Sequence, residues 1–243
     1  MKLRIGTIAL ICRYPVKSMA GEDLTQTRVG FQGVPGDRRY AFVQAGTRSP
    51  FPWLTAREVA EMLRYRPGFE TEFTGTGREP SPLVTTPDGR RLRVDDGALK
   101  ADLEQKLGKL LFLMRDYRGN YDVAAISIIS LTAVADIGKS AGRVLDPRRF
   151  RANFYIEPES ESPAPEAEWV GMVLAVGSDL RLAVTEQDER CVMINLDPDK
   201  ATDDPAVLKT VATQYDNRAG VYAVVLRPGT ANTGDGVEVV GQI

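Results

Sequence analysis

Short β-branched or alternating segments, cut off repeatedly by glycine and proline, dominate this chain and confine it to a strand-rich fold. Residues 3–12, 39–44, 69–74, 83–86 and 90–94 read as strands, with Pro87-Asp88-Gly89 as the hairpin turn between the last two. Residues 150–156, 170–176, 180–185, 221–226 and 236–240 continue the pattern. Helical signals are fewer. Thr55 and Glu58 have the spacing of a capping box for a helix to Arg64, and Leu99, Leu103 and Leu107 recur every four residues within 97–108. Residues 129–139 and 203–215 are further helix candidates. The sum is a strand-rich α+β protein. The polar stretch Arg115–Asp122 carries Gly119-Asn120 and predicts a boundary between residues 1–115 and 122–243. Residues 157–168, acidic and proline-rich, read as a solvated surface loop.

Composition matters chiefly for what it removes. The 243 residues include 31 basic and 33 acidic side chains, 43% hydrophobic residues and no histidine. Ordinary hydrophobicity and a net charge of -2 describe a globular chain with no broad electrostatic reason to bind nucleic acid. Without imidazole there is no Ser-His-Asp or Cys-His pair, no histidine-ligated zinc or iron, and no histidine base. Two cysteines, Cys12 and Cys191, fall short of the four thiolates of a structural zinc or iron–sulfur site. The apolar start, Ile5 to Cys12, is short and meets Arg13 without a small-residue cleavage site, so it reads as a first strand and not as a signal peptide. No apolar run is long enough for a membrane span, and a cytoplasmic location is expected.

The candidate chemistry is dispersed. Gly75-Thr-Gly77 runs into Arg-Glu-Pro80 and opens no helix, so a dinucleotide fingerprint is absent, as is a phosphate-binding Walker loop. Cys191 follows Arg190, whose charge favours thiolate, while Asp188 and Glu189 oppose it; a lone cysteine is more often an apolar packing residue. Cys12, inside the first strand, reads as core packing, and Trp53 and Trp169 as core or interface anchors. Lys17-Ser18, Arg38-Arg39 after Asp37, and Arg148-Arg149 with Arg151 and Asn153 form three basic spots beside strands. Converging, they would suit a phosphate or another anion; separately, each would make ordinary ion pairs.

Taken in order, these pieces resemble a known family. Tyr14-Pro15-Val16-Lys17-Ser18, Gly36-Asp37-Arg38-Arg39-Tyr40 and Thr55-Ala56-Arg57 resemble the N-terminal β-barrel domain that precedes MOSC domains. Ser127 to Leu131, Arg149-Phe-Arg151-Ala-Asn153, Trp169, Arg190-Cys191, Asp197-Pro198-Asp199 and Gly234-Asp235 resemble the MOSC domain itself. The resemblance implies an N-terminal β-barrel-like domain followed by a MOSC β-barrel with a few short helices. It also implies a molybdenum cofactor between the two, as in the amidoxime-reducing proteins, with Cys191 as metal ligand and catalytic residue. Lys17, Ser18, Asp37, Arg38, Ser130, Arg151 and Asn153 would line the pterin and its phosphate, and Arg190 would stand beside the metal. No role for pyridoxal phosphate is expected.

The implied activity is reduction of N-hydroxylated or otherwise N-oxygenated small molecules. With no visible flavin or nicotinamide motif and too few cysteines for a cluster, the electrons would come from a separate iron–sulfur or flavin protein. No nucleic-acid or membrane partner is expected. Two alternatives stay open: a molybdenum-cofactor carrier without turnover, and a sulfur relay through Cys191. The chain also departs from the family pattern near the cysteine. Gln187, Asp188 and Glu189 precede the Arg-Cys pair in place of proline and small residues, Ile194 and Asn195 stand where threonines are common, and Lys200 replaces a threonine after Asp-Pro-Asp. These changes bear on the substrate pocket more than on metal ligation.

Overall fold

The computed structural model describes residues 3–71, 80–159 and 165–243. Among them run strands β1 (Leu3–Arg13), β2 (Glu22–Leu24), β3 (Gln26–Val29), β4 (Tyr40–Gln44), β5 (Arg66–Gly68), β6 (Leu83–Thr85), β7 (Arg91–Arg93) and β8 (Leu111–Arg115). The second half adds β9 (Ile126–Ser130), β10 (Phe154–Pro158), β11 (Met172–Val176), β12 (Leu180–Glu189), β13 (Arg218–Arg227), β14 (Gly229–Asn232) and β15 (Gly236–Gln242). Three helices accompany them: α1 (Gly97–Leu107), α2 (Leu131–Ser140) and α3 (Ala206–Gln214).

Seven strands close a barrel in the order β10-β9-β13-β12-β11-β15-β1, with β1 returning to pair with β10. Alternation along β12 turns Leu180, Leu182 and Val184 inward, and all three are fully buried. In β1, Ile8 and Ile11 both reach this core although they lie three positions apart, because a register shift between Ile8 and Leu10 reverses the alternation. Trp169 joins the same core, as an anchor residue should. Each such side chain contributes about 1.5–3 kcal/mol of burial before chain entropy is counted.

The N-terminal half wraps a second core with small sheets, β4-β8 and β5-β6-β7. Tyr40, Phe42, Leu54, Met62, Tyr65, Leu99 and Leu103 fill it. Helix α1 begins where Asp96 accepts a hydrogen bond from the Ala98 amide and ends at Gly108, left-handed at φ 74°. The 87–89 hairpin turn forms as expected, with Gly89 at φ 86° between β6 and β7.

Strand pairing runs across the segments 1–115 and 122–243, with β1 a stave of the seven-stranded barrel and β3 paired with β14. Several expectations need correction. The capping box forms, with the Thr55 amide and hydroxyl both donating to Glu58 Oε2 at 3.0 and 2.6 Å. Only a 3-10 turn follows it, Ala60–Arg64, ahead of Pro67. The strand expected at 150–156 starts at Phe154, because Pro147–Phe150 coil into another 3-10 turn capped by Asp146. Of the strand expected at 69–74, residues 69–71 lie beyond β5, and 72–74 fall outside the described residues, as do Gly75-Thr-Gly77 and residues 160–164 of the acidic segment. Strands β2, β3, β8, β9 and β14 were not expected; none exceeds five residues, and β8 and β9 are apolar runs too short for periodicity to separate strand from helix. None of the described helices is long and apolar enough to cross a membrane.

Candidate functional site

A cleft of about 740 Å³ opens where the N-terminal layer meets the barrel. Lys17, Ser18 and Arg38 line it from the first half, and Arg151, Asn153, Arg190 and Cys191 from the second. The three basic spots therefore converge. Six non-glycine residues among those described have positive φ, and three of them, Ser18 (64°), Arg38 (49°) and Arg151 (53°), line this cleft. Such conformations cost about 1–3 kcal/mol each and persist only where surrounding structure imposes them.

Asp37 imposes one of them. Fully buried, it accepts the Tyr14 amide at 2.7 Å and, on its other oxygen, Arg38 Nη1 at 2.6 Å. The Tyr14 ring then carries two guanidinium groups, Arg38 at 4.7 Å and Arg151 at 4.4 Å from its centroid. Asp37 thus supports the wall of the cleft without lining it. Lys17, nearly buried, donates to the Asn120 carbonyl at 2.7 Å and to Asp122 at 2.8 Å, and sits 4.8 Å over the Trp53 ring.

Burial pulls the Lys17 pKa down, and the charges of Arg38 and Arg151 lower it further against the pull of Asp122. Burial and Arg38 likewise lower that of Arg151. Arg38 goes the other way: burial works against its charge, but Asp37 more than compensates. Among the described residues Arg151 has no ion pair, and neither its guanidinium nor the Ser18 hydroxyl has a hydrogen-bond partner. This end of the cleft is short of negative charge and offers free donors.

Cys191 is exposed to the cleft, in contrast to buried Cys12, whose thiol donates to Asp23. The thiol stands at the start of a 3-10 turn, Val192–Asn195, held from both sides. Arg190 donates through Nε to the Ala219 carbonyl at 2.6 Å and through Nη1 to that of Phe150 at 2.8 Å, with Nη2 2.9 Å from Asp188. Arg149 donates to the Asn195 carbonyl at 2.6 Å. Gly220, left-handed at φ 81°, leaves room for Arg190, because a Cβ there would stand 2.9 Å from Nη2.

Three expected site residues have other employment. Ser130 is fully buried and caps α2, accepting from the Ala133 amide at 3.1 Å and donating to Glu166 at 2.6 Å. Strand alternation turns it away from the cleft, which Ser127 lines instead. Arg190 lines the cleft, but Nε and Nη1 are taken by backbone carbonyls and Nη2 faces Asp188 as an ion pair without a hydrogen bond, so it braces the cysteine loop. Asn153 is also committed, bonding the Ser127 amide at 3.1 Å and the Cys12 carbonyl at 3.2 Å. The sequence reading missed Ser127, Tyr222 and Asp122, which only strand register and folding of the 116–125 loop bring to the site.

A closed barrel, a smaller strand-rich layer packed on it, and a seam cleft bearing one thiol and several cations define a two-part β-barrel protein. The chain belongs to the MOSC family: the MOSC domain matches residues 116–238 and the MOSC N-terminal beta barrel domain residues 5–104. Among solved structures, the YUAD protein from Bacillus subtilis has the same fold, with a TM-score of 0.54 at 14% identity over 100% of this chain and 99% of that one. YiiM from Geobacillus stearothermophilus matches at 17% identity over 48% of this chain and 54% of that one, with a TM-score of 0.37. No curated protein matches the sequence.

MOSC domains are associated with molybdenum-cofactor binding, and the residues present suit that group. Arg151, Ser18, Lys17 and Arg38 offer charge and donors to a phosphate. The exposed thiol of Cys191 is a soft ligand suited to a metal already held by sulfur. Among the described residues no cluster of three or more acidic or cysteine side chains could hold a bare metal ion, so one protein thiolate would complete the coordination of a cofactor that brings its own ligands.

Proposed function

We propose that the protein binds molybdenum cofactor in the seam cleft and reduces N-oxygenated small molecules, with electrons from a separate iron–sulfur or flavin protein. The observation that supports it most is the Arg151 guanidinium, without an ion pair or hydrogen-bond partner among the described residues, together with an exposed thiol in the same cleft. Arg38 and Arg151 would bind the phosphate, Lys17 and Ser18 the adjoining polar groups, and Cys191 the metal.

When bound, the cofactor supplies the two-electron exchange and oxygen-atom acceptance that this side-chain set lacks. The chain contributes orientation and exclusion of water. Asp37 and the Tyr14 ring hold the two arginines in place before any ligand arrives, so little reorganisation is needed on binding. Arg190 and Arg149 fix the turn that presents the thiol. The phenyl and indole groups of Phe51 and Trp53, edge to face at 4.8 Å, screen the Lys17 end of the cleft from solvent.

Purified protein from cells that make the cofactor should contain molybdenum, and with a chemical reductant it should turn over an N-hydroxylated substrate. Cys191→Ser should abolish both the metal content and the turnover. Tight pterin binding with no turnover across a broad substrate panel would instead make it a carrier. Sulfane sulfur on Cys191 without molybdenum would make it a sulfur relay.

A further inference from the structure

The cleft also carries a cluster to which the roles above assign nothing. Ser127 on β9, Tyr222 on β13 and Asp188 near the end of β12 come from three neighbouring strands, with Tyr222 paired in register to both Ser127 and Glu186. All three line the cleft. Asp188 is almost fully buried, and its Oδ2 accepts from Ser127 Oγ at 3.2 Å and lies 2.9 Å from Arg190 Nη2. Strand register sets Tyr222 opposite Ser127, the residue whose hydroxyl donates to this carboxyl.

We propose that Tyr222, with Asp188 behind it, is the subsite that recognises the N–O oxygen of the substrate and delivers a proton to it. This rests on the function proposed above. The balance for an amidoxime is R–C(NH2)=N–OH + 2 H⁺ + 2 e⁻ giving R–C(NH2)=NH + H2O. The N–O bond breaks, nitrogen is reduced, the oxygen leaves as water, and the donor protein is oxidised by two electrons. One proton passes from Tyr222 to the departing oxygen and solvent water returns it to the phenolate; the other also comes from solvent.

The electrostatics support this arrangement. Burial and then the Asp188 charge push the Tyr222 pKa up, against the pull of Arg190 and Arg38, so the hydroxyl keeps its proton at neutral pH. Burial raises the Asp188 pKa, as does Asp122, while Arg190, Tyr222 and Ser127 oppose the shift. Glu189 adjoins the same wall and is exposed.

The first test needs no electrons. Cofactor-loaded protein without reductant should bind benzamidoxime more tightly than benzamidine by calorimetry, and Tyr222→Phe should lower the benzamidoxime affinity about fivefold while leaving benzamidine binding, molybdenum content and melting temperature unchanged. With a chemical reductant, Tyr222→Phe should lose about a hundredfold in kcat/KM and flatten the pH profile. Asp188→Asn should change the pH profile even after its turnover is corrected for molybdenum content. An unchanged ligand preference and pH profile in Tyr222→Phe would overturn the proposal. Molybdenum-free, inactive wild-type protein would overturn the functional reading on separate grounds.

Discussion

Arg38 donates through Nη2 to the backbone carbonyl of Arg151 at 2.7 Å, tying together the two cations of the cleft across 113 positions of sequence. One comes from the N-terminal layer and the other from the turn before β10, so the site exists only when both halves are docked. The bond also shows that the arginines do different work: Arg38 is held by Asp37 and by this carbonyl, whereas Arg151 has only the Tyr14 ring.

That asymmetry separates two variants. Arg38→Ala leaves Asp37 buried and uncompensated, and stability should fall by about 3 kcal/mol. Arg151→Ala should melt close to wild type. Both should retain less molybdenum cofactor, by about tenfold or more, since each removes a charge-assisted contact of roughly 1.5–3 kcal/mol. Thermal melts and metal analysis of the two proteins check this. Unchanged metal content in both would remove them from the site.

Arg190→Ala should be among the more damaging substitutions. It strips the Phe150 and Ala219 carbonyls of their donor and leaves Asp188 buried without its counter-charge, a loss of about 3–5 kcal/mol. Gly220→Ala should act on the same contact, because its φ of 81° disfavours a side chain and the new Cβ meets Arg190 and the Ile128 carbonyl. Alkylation of Cys191 by iodoacetamide reports whether the loop has moved, and its rate should change in both variants.

Glu166 gives a pH-dependent prediction. Burial raises its pKa above the ordinary carboxyl value, although hydrogen bonds from Ser130 and nearby amides counter part of the shift. A raised carboxyl favours folding while protonated, and that contribution is lost as pH rises through the folded-state value. Glu166→Gln should therefore raise the melting temperature at pH 7, and the difference from wild type should close below about pH 4.3, the unfolded-state value. A constant difference across pH would contradict this.

Residues 122–243 expressed alone should not fold cooperatively. They lack β1, which closes the barrel between β15 and β10 and brings Ile8 and Ile11 into its core. Circular dichroism melts of that fragment, with and without an added peptide spanning 3–13, test the dependence.

Much of this was legible locally. The Leu99 and Leu103 pair marks α1, the Pro87-Asp88-Gly89 turn marks the β6–β7 hairpin, and alternation marks β12, because each signal is written in neighbouring residues. The order of the Lys-Ser, Asp-Arg, Arg-x-Asn and Arg-Cys pieces also identifies the family. The helix expected after Thr55 was not realised: the cap formed, but only a 3-10 turn, Ala60–Arg64, follows before the chain enters β5 at Arg66.

The sequence by itself determined the strand-rich class, the absence of histidine chemistry and which side chains could supply charge and sulfur. Only the tertiary structure decided which of them meet. Ser127 and Ser130 share a strand, yet register turns one to the cleft and the other to a helix cap. Arg151 and Arg190 carry the same group, yet one is left free and the other is consumed by carbonyls and Asp188. Availability to a ligand depends on partners distant in sequence, and β1 finds its partners, β10 and β15, at the far end of the chain. Contacts of that kind leave no mark in local periodicity.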